Sequence, residues 1–304
     1  MRWVLPWSST RFSAFSERAD TSAPGARLAA LTAVVLVAFA ANSLLNRLAL
    51  VEGGIGPAAF ACIRLAAGAA VLAALVCLRS GRVPLPGKGC AVGAGALALY
   101  MLGFSFAYLT LDAGLGALIL FGGVQVTMFA GALFGHEPIP PRRWAGAGVA
   151  FAGLAWLLWP EGAGAPDPLG AALMAAAALG WGIYSLAGRG AADPLAATAG
   201  NFAMALPAAL VTLVLAADFG GATATGIGAA LVSGAVTSGL GYALWYAVLP
   251  RLGATRAAVA QLTVPLIAVA GGVVFLGETP TMRMLLAGAV VLGGVALSLG
   301  PARR

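Results

Sequence analysis

Apolar blocks of about 20 residues recur along the whole chain, separated by short polar connectors. An α-helix needs about 20 consecutive apolar residues to cross the roughly 30 Å hydrocarbon layer of a bilayer. The composition agrees with such helices, because 61% of the 304 residues are hydrophobic and only 9% are charged. A soluble domain carries roughly 25% charged residues. The chain is therefore predicted to be an all-α polytopic membrane protein.

Connectors rich in glycine and proline, such as VEGGIGP and SGRVPLPGKG, divide the apolar blocks into ten predicted transmembrane helices. The boundary between the third and fourth helices, marked only by LDAG, is the least distinct of these divisions. The ten helices are predicted at residues 27–49, 56–79, 88–111, 113–134, 143–160, 168–189, 194–217, 226–249, 253–276 and 282–300.

Lysine and arginine residues divide unequally between the two sides of the predicted bundle. With the N-terminus placed inside, eleven of them lie near inner helix ends and only Arg47 and Arg283 lie near outer ends. Because positive charges favour the cytoplasmic side, both termini are predicted to be cytoplasmic, in a multi-pass protein of the inner (plasma) membrane. The basic residues form no patch with interleaved aromatics, so the lipid bilayer is the expected partner and nucleic acid is not.

The second half of the chain repeats motifs of the first half in the same order, at offsets between 137 and 142 residues. The matching motifs are SLLNR (43–47) with SLAGR (185–189), PAAFACIR (57–64) with PLAATAGN (194–201), GFSFAY (103–108) with GYALWY (241–246), and FGHEPIPPR (134–142) with FLGETPTMR (275–283).

Each repeat holds five helices, an odd number, so the second repeat is predicted to enter the membrane from the opposite side to the first. This arrangement is two inverted five-helix repeats. The predicted organisation is a cytoplasmic N-terminal tail at 1–26, the first repeat at 27–160, an outer linker at 161–167, the second repeat at 168–300 and a cytoplasmic C-terminus at 301–304.

The two five-helix halves, each with a Phe-x-x-Glu stretch before its last helix, resemble the EamA-type family of the drug/metabolite transporter superfamily. The stretch FLGETPTMRMLLAGAVVLGGVAL (275–297) is similar to the family's pattern, and the resemblance covers about residues 27–300. It implies secondary transport of small organic metabolites, such as amino acids or similar compounds, by export. The first half departs from the pattern, because Val124 stands opposite Pro265 and a proline kink is expected only in the second repeat.

The resemblance also implies a central cavity between the repeats, lined by the first, third, fourth, sixth, eighth and ninth helices. Polar and aromatic side chains at membrane depth on these helices are the predicted substrate-binding residues. They are Asn42, Asn46, Tyr100, Gln125, Trp181, Tyr184 and Gln261. The alternative is that the amides are hydrogen-bonding partners between helices and that the aromatic rings only pack.

Arg64 is the only charged residue clearly inside a predicted span, about two turns from its outer boundary. One interpretation is that it attracts an anionic group, such as a carboxylate. The other is a structural arginine that snorkels towards water or caps carbonyl groups of a neighbouring helix.

The connector FGHEPIPPR gathers the only histidine of the chain, His136, with Glu137. A histidine beside a carboxylate is typical of a metal or proton-transfer site, but His136 faces Gly277 in the repeat and has no counterpart. Four residues are preserved between the repeats and are predicted to be structural connector or gate residues: Glu137, Arg142, Glu278 and Arg283. Each glutamate is expected to accept hydrogen bonds from N–H groups at the start of the following helix.

No cofactor or metal is predicted, and the expected partners are a small-molecule substrate and the bilayer, with a homodimer left open. Every acidic residue is assigned to a helix end or connector, which favours facilitated transport or exchange, although a proton pathway through Asp112 or Glu137 stays open. An intramembrane enzyme, the main alternative function, would need a Ser–His pair, paired aspartates or a metal set within the bilayer. The sequence supplies none of these. A third alternative is a non-transporting scaffold, which no feature of the sequence specifically indicates.

Overall fold

A computed structural model describes residues 24–81, 90–135, 139–188, 191–218, 220–252 and 254–299. These residues form ten helices, which confirms the predicted number, and they contain no strand. The helices are α1 (Pro24–Val51), α2 (Pro57–Ser80), α3 (Cys90–Ala107), α4 (Ala113–Phe134), α5 (Pro141–Leu158), α6 (Pro168–Gly188), α7 (Pro194–Leu215), α8 (Ala224–Leu252), α9 (Ala254–Gln261 and Thr263–Leu276) and α10 (Met282–Leu299).

Eight of the described helices, α1 to α4 and α6 to α9, are long and apolar enough to cross a membrane. α10 contains a shorter apolar stretch, Met282–Ser298. α5 is 18 residues long but has Arg142 and Arg143 in its first turn, and these lower its mean hydropathy. The chain is therefore a multi-pass helical membrane protein.

Five connectors meet at one end of the bundle. Thr223, before α8, donates through its N–H and its hydroxyl to the carbonyl of Gly53, before α2 (3.1 and 2.8 Å). Thr110, after α3, donates to the carboxylate of Asp167, before α6 (3.0 Å). We call this the acidic end, because its connectors carry Glu52, Asp112, Glu161, Asp167, Asp218 and Glu278.

The opposite end, which we call the basic end, is held by arginines. Arg79 at the end of α2 pairs with Asp193, the N-cap of α7. Arg142 at the start of α5 donates to the carbonyl of Leu297 near the end of α10 (2.8 Å). Successive helices alternate in direction between the two ends. As a result α1 runs towards the acidic end and α6 runs away from it.

Glycines allow helices from different halves of the chain to approach at backbone distance. At the α3–α6 contact, a Cβ added to Gly103 would lie 2.8 Å from the carbonyl oxygen of Leu173. At the α5–α10 contact, a Cβ added to Gly146 would lie 2.5 Å from the carbonyl oxygen of Gly294. Lipid provides no hydrophobic drive between helices, so close van der Waals packing of this kind holds the bundle together.

Two helices depart from regular α geometry. α9 is interrupted at Leu262, because Pro265 has no N–H to donate to the carbonyl four residues earlier. α4, with Val124 at the position aligned with Pro265, is unbroken, so the predicted difference between these two helices is confirmed. α8 contains a π-helical segment over Ser233–Leu240, which the sequence pattern did not predict.

The α5–α10 contact generates a stability prediction with a control on the same helix. Gly146→Ala should lower the free energy of unfolding by about 1–3 kcal/mol, because the new methyl group meets backbone atoms that cannot move aside. Gly148→Ala should be neutral or stabilising, since nothing lies within 4 Å of a Cβ added at that position and alanine favours a helix. Thermal unfolding in detergent measures both variants. Equal effects at the two positions would contradict the packing described here.

Candidate functional site

A cavity lies near the middle of the bundle, where side chains of α1, α3, α4, α6 and α8 converge. The cavity is small. The centre of a water molecule could occupy about 10 Å³ of it, which is enough room for about one water. The family resemblance also implied a contribution from the ninth helix, but none of the lining residues comes from the described part of α9. The lining residues are Phe39, Asn42, Ser43, Tyr100, Phe104, Leu120, Phe121, Trp181 and Tyr242.

Asn42 is the main polar group on the α1 side of the cavity, and the π-helical segment of α8 surrounds its carbonyl oxygen. The hydroxyls of Ser233, Thr237 and Ser238 donate to Asn42 Oδ1 at 2.8, 2.6 and 3.4 Å. A π-helix bonds residue i to residue i+5, so Ser233 and Ser238 come close to the same face. The wide helical turn thus lets three hydroxyls reach one amide oxygen.

Arg64 lies beside the cavity and is fully buried, with 0% of its surface exposed. Its Nε donates to the Ser238 hydroxyl and its Nη2 to the Tyr100 hydroxyl, both at 3.1 Å. The guanidinium lies 5.5 Å from the ring centroid of Tyr100 and 5.0 Å from that of Phe104. An arginine without solvent exposure does not snorkel to water, so this form of the structural interpretation is wrong.

Aromatic rings form most of the remaining cavity wall. Trp181 lies at their centre, with ring centroids at 5.0 Å from Tyr100, 5.3 Å from Tyr184 and 5.3 Å from Tyr242. Rings at these separations attract one another in tilted or offset arrangements. The packed rings close the cavity around its small polar centre.

Three of the predicted substrate-binding residues, Asn42, Tyr100 and Trp181, line this cavity. Tyr184 stands behind Trp181, where its hydroxyl pairs with that of Thr198 at 3.0 Å. Asn46 is one turn further along α1 and donates to the Ser105 hydroxyl of α3 at 3.2 Å.

The other two predicted residues lie elsewhere. Gln125 lines a second pocket, between α4, α5 and α10, together with Arg143 and Ser298. Gln261 ends the first segment of α9, at the break before Pro265. A role for any of the seven residues in substrate binding stays a prediction.

Sequence reasoning missed several polar and aromatic residues at this centre. Ser233, Thr237 and Ser238 belong to the run SGAVTSG, which is unusually rich in hydroxyls for an apolar helix. That enrichment was a usable signal. Phe39 and Tyr242 carried no signal, because an aromatic residue in an apolar helix has the same pattern whether it packs against lipid or faces a cavity.

The connector glutamate Glu278 caps a helix, but not the one that the sequence predicted. Its Oε1 accepts a hydrogen bond from the N–H of Ala113, the first residue of α4, at 2.7 Å. Thr281, not Glu278, caps α10, since its hydroxyl accepts from the N–H of Met284. Arg47 lies 3.9 Å from Glu278 and 3.6 Å from Asp112. The prediction that Glu278 caps the following helix, α10, is therefore wrong, because the connector folds back onto the other half of the chain.

The same cross-half capping occurs at other helix ends. Asp218, between α7 and α8, accepts from the N–H groups of Ala58 and Ala59 at the start of α2 (3.0 and 3.2 Å). Arg283 at the start of α10 donates to the carbonyls of Trp156 and Trp159 at the end of α5. Arg142 does the same for the end of α10, as described above.

His136 and Glu137 lie outside the described residues, so the predicted role of Glu137 stays a prediction. Within the ranges that the structure covers, no group of three or more His, Cys, Asp or Glu side chains could hold a metal ion. Neither observation adds a chemical centre to the cavity described above.

The fold and the cavity together define a multi-pass helical membrane protein with a polar site enclosed between its two halves. A model of the EamA-like transporter family matches residues 168–300, the range predicted for the second repeat. The uncharacterized protein PA1977 of Pseudomonas aeruginosa is 46% identical over 280 residues, covering 91% of this chain and 96% of that protein. The chain belongs to the EamA-like transporter family.

A solved structure supports the fold independently. A protein of known crystal structure superposes on this chain with a TM-score of 0.63 at 22% sequence identity. The match covers 88% of this chain and 98% of the other chain. At this identity the likeness concerns the fold alone. It indicates that the arrangement of the described helices occurs in a known protein structure.

The Glu278 contact predicts a loss of stability that depends on the oxygen atom rather than on the charge. Glu278→Ala removes the acceptor for the Ala113 N–H and should lower the free energy of unfolding by about 1 kcal/mol. Glu278→Gln keeps an oxygen at the same place and should lower it less. Chemical or thermal unfolding of the three proteins in one detergent tests this order. An equal loss for both variants would argue against the capping role.

Glu278 also predicts a pH dependence. Burial raises the pKa of this carboxyl above its usual value, assisted by nearby Asp112 and opposed by the Ala113 and Gly114 N–H groups and Arg47. The folded state therefore holds the proton more tightly than the unfolded state. The resulting stabilisation is complete below the usual pKa and is lost as the pH rises through the raised folded pKa.

Lowering the pH from about 8 towards about 5 should therefore raise the melting temperature of the wild type relative to Glu278→Gln, which cannot titrate. The difference between the two melting temperatures, followed across this range, isolates the contribution of Glu278. A difference that stays constant with pH, or changes in the opposite direction, would contradict the raised pKa.

Proposed function

We propose that this protein is a secondary transporter that moves small organic metabolites, such as amino acids or similar compounds, across the inner (plasma) membrane by alternating access. The observation that carries the proposal is the enclosed cavity with a polar centre, built jointly by helices of both halves, in a chain of the EamA-like transporter family. Export is the proposed direction, with both termini in the cytoplasm, as the distribution of Lys and Arg favours.

The arrangement of helix contacts supports two inverted repeats. Exchanging the halves turns the α3–α6 contact into α8–α1 and the α4–α6 contact into α9–α1, and all four contacts are present. The contacts α2–α7 and α5–α10 map onto themselves. Inverted symmetry of this kind supplies two conformations of similar energy, one open to each side of the membrane, which alternating access requires.

The reciprocal arginine contacts between α5 and α10 favour the same interpretation. Arg142, near the start of α5, donates to a carbonyl near the end of α10. Its counterpart Arg283, near the start of α10, donates to carbonyls at the end of α5. Each arginine thus binds a carbonyl at the end of the helix that carries the other arginine. This is expected for halves related by a two-fold axis in the membrane plane.

Cargo can enter the cavity only after one end of the bundle opens, because the cavity described here has room for about one water. Opening at the acidic end would break the contact of Thr223 with Gly53 and that of Glu278 with Ala113. These contacts comprise two hydrogen bonds from Thr223 and one to Glu278, each contributing about 0.5–1.5 kcal/mol. A gate of this strength can be displaced by cargo binding.

Reconstitution tests the transport function. Purified protein in liposomes should show counterflow for at least one compound of a metabolite panel, measured with and without a pH gradient, and protein-free liposomes are the blank. Trp181→Ala removes a large part of the cavity wall and should reduce the flux by about an order of magnitude. Trp159→Ala, at an exposed position after α5, should transport normally.

Two results would count against the proposal. One is the absence of flux for every compound when the protein is correctly folded. The other is equal flux in wild type and Trp181→Ala, since a cargo that passes through the cavity must contact its largest aromatic wall. A change of flux on imposing a pH gradient would identify proton coupling, and none would favour facilitated transport or exchange.

A further inference from the structure

Arg64 is a buried cation without an anionic partner in the described part of the chain. It has no exposed surface, and the ion pairs found among the described residues involve other arginines. Its Nη1 atom is buried and has no hydrogen-bond partner among those residues. Arginine does not lose its proton in proteins, so the positive charge persists at this depth.

The neighbours of Arg64 solvate the charge but do not neutralise it. Two hydroxyls, of Ser238 and Tyr100, accept from the guanidinium, and the Phe104 ring offers its face at 5.0 Å. A cation held only by hydroxyls and rings is costly in an apolar interior. A negative charge that arrived with the cargo would stabilise the site.

The Tyr100 hydroxyl links Arg64 to the cavity. Because Arg64 donates to the Tyr100 oxygen, the Tyr100 O–H must point away from Arg64. Tyr100 and Tyr242 both line the cavity. The Tyr100 O–H, which Arg64 leaves free as a donor, can therefore donate to a ligand in the cavity.

Asn42 adds no competing acceptor to this side of the cavity. Its Oδ1 already receives hydroxyls from Ser233 and Thr237 at 2.8 and 2.6 Å. Its Nδ2 donates to the carbonyl of Ala38. The polar centre therefore presents hydrogen-bond donors backed by a cation, which is the arrangement that binds an oxyanion.

We propose that the cavity binds the carboxylate of an organic acid at the Tyr100 and Tyr242 hydroxyls, with Arg64 as its counter-charge. The inference rests on the proposed transport function and specifies the cargo class. Phe39, Phe121 and Trp181 form the surrounding wall, so the rest of the cargo faces a mainly aromatic surface. The structure assigns to Arg64 the selection of anionic over neutral compounds of the same shape.

Matched pairs of ligands isolate the contribution of the negative charge. Benzoate, pyruvate and L-leucine are each compared with the amide in which an uncharged carboxamide replaces the carboxylate. These amides are benzamide, pyruvamide and L-leucinamide. Binding to full-length protein in detergent is measured by thermal stabilisation and by quenching of tryptophan fluorescence. At least one carboxylate should bind about tenfold or more tightly than its amide, because a charge-assisted hydrogen bond replaces a neutral one.

Variants locate this preference on named side chains. Arg64→Gln should bring the ratio of the two dissociation constants close to one. Tyr100→Phe, which keeps the ring but loses the hydroxyl, should lower the ratio severalfold. Arg79→Gln removes an arginine from the same helix at the exposed ion pair with Asp193 and should keep the wild-type ratio. Circular dichroism and size-exclusion chromatography verify folding, and Tyr100→Phe serves as the test if Arg64→Gln does not fold.

Each result decides the proposal. It is overturned if no carboxylate in the panel binds better than its amide, or if folded Tyr100→Phe keeps the full preference. Flux of neutral or cationic compounds in liposomes without any preference for carboxylates would overturn this inference and leave the transport function standing. A preference that depends on Tyr100 and Arg64, without flux for any compound, would support the binding site and overturn transport.

Discussion

Helix ends of each half of this protein are capped by side chains of the other half, and the architecture depends on this exchange. A helix leaves four N–H groups and four carbonyls without partners at its two ends, and a lipid environment supplies few alternatives. Asp218 and Glu278 satisfy N–H groups of α2 and α4, and Arg142 and Arg283 satisfy carbonyls of α10 and α5. The two halves are thereby held at their ends, while the middle of the bundle encloses the cavity.

Polar groups in that middle follow a different rule. Helix ends are matched by opposite charges or dipoles, whereas the cation beside the cavity, Arg64, is bound by neutral hydroxyls. The π-helical segment of α8 makes this arrangement possible, because its wider turn brings Ser233 and Ser238 to the same amide of α1. Such segments occur frequently at functional sites. Its position against both Asn42 and Arg64 links the unusual backbone of α8 to the most polar part of the interior.

Much of the fold could be predicted from the sequence, because it follows from periodic and local features. The number of helices, the family and an irregularity of α9 caused by Pro265 were predicted correctly. The site was predicted less well. Asn42, Tyr100 and Trp181 were found because polar and aromatic residues at membrane depth are few, whereas Gln125 shares that property and lies on another pocket. Depth along a helix can be counted in a sequence, but the direction that a side chain faces depends on the neighbouring helices.

The sequence by itself determined that the chain crosses a membrane many times, because the length and hydropathy of each segment set its stability in lipid independently of the others. Its matching motifs also predict the duplication. Only the tertiary structure decided which helix Glu278 caps and that Arg64 is buried beside hydroxyls. The physical reason is that a cap or a counter-charge acts over a few ångströms, and residues that come within this distance, such as Arg64 and Ser238, lie 174 positions apart in the chain.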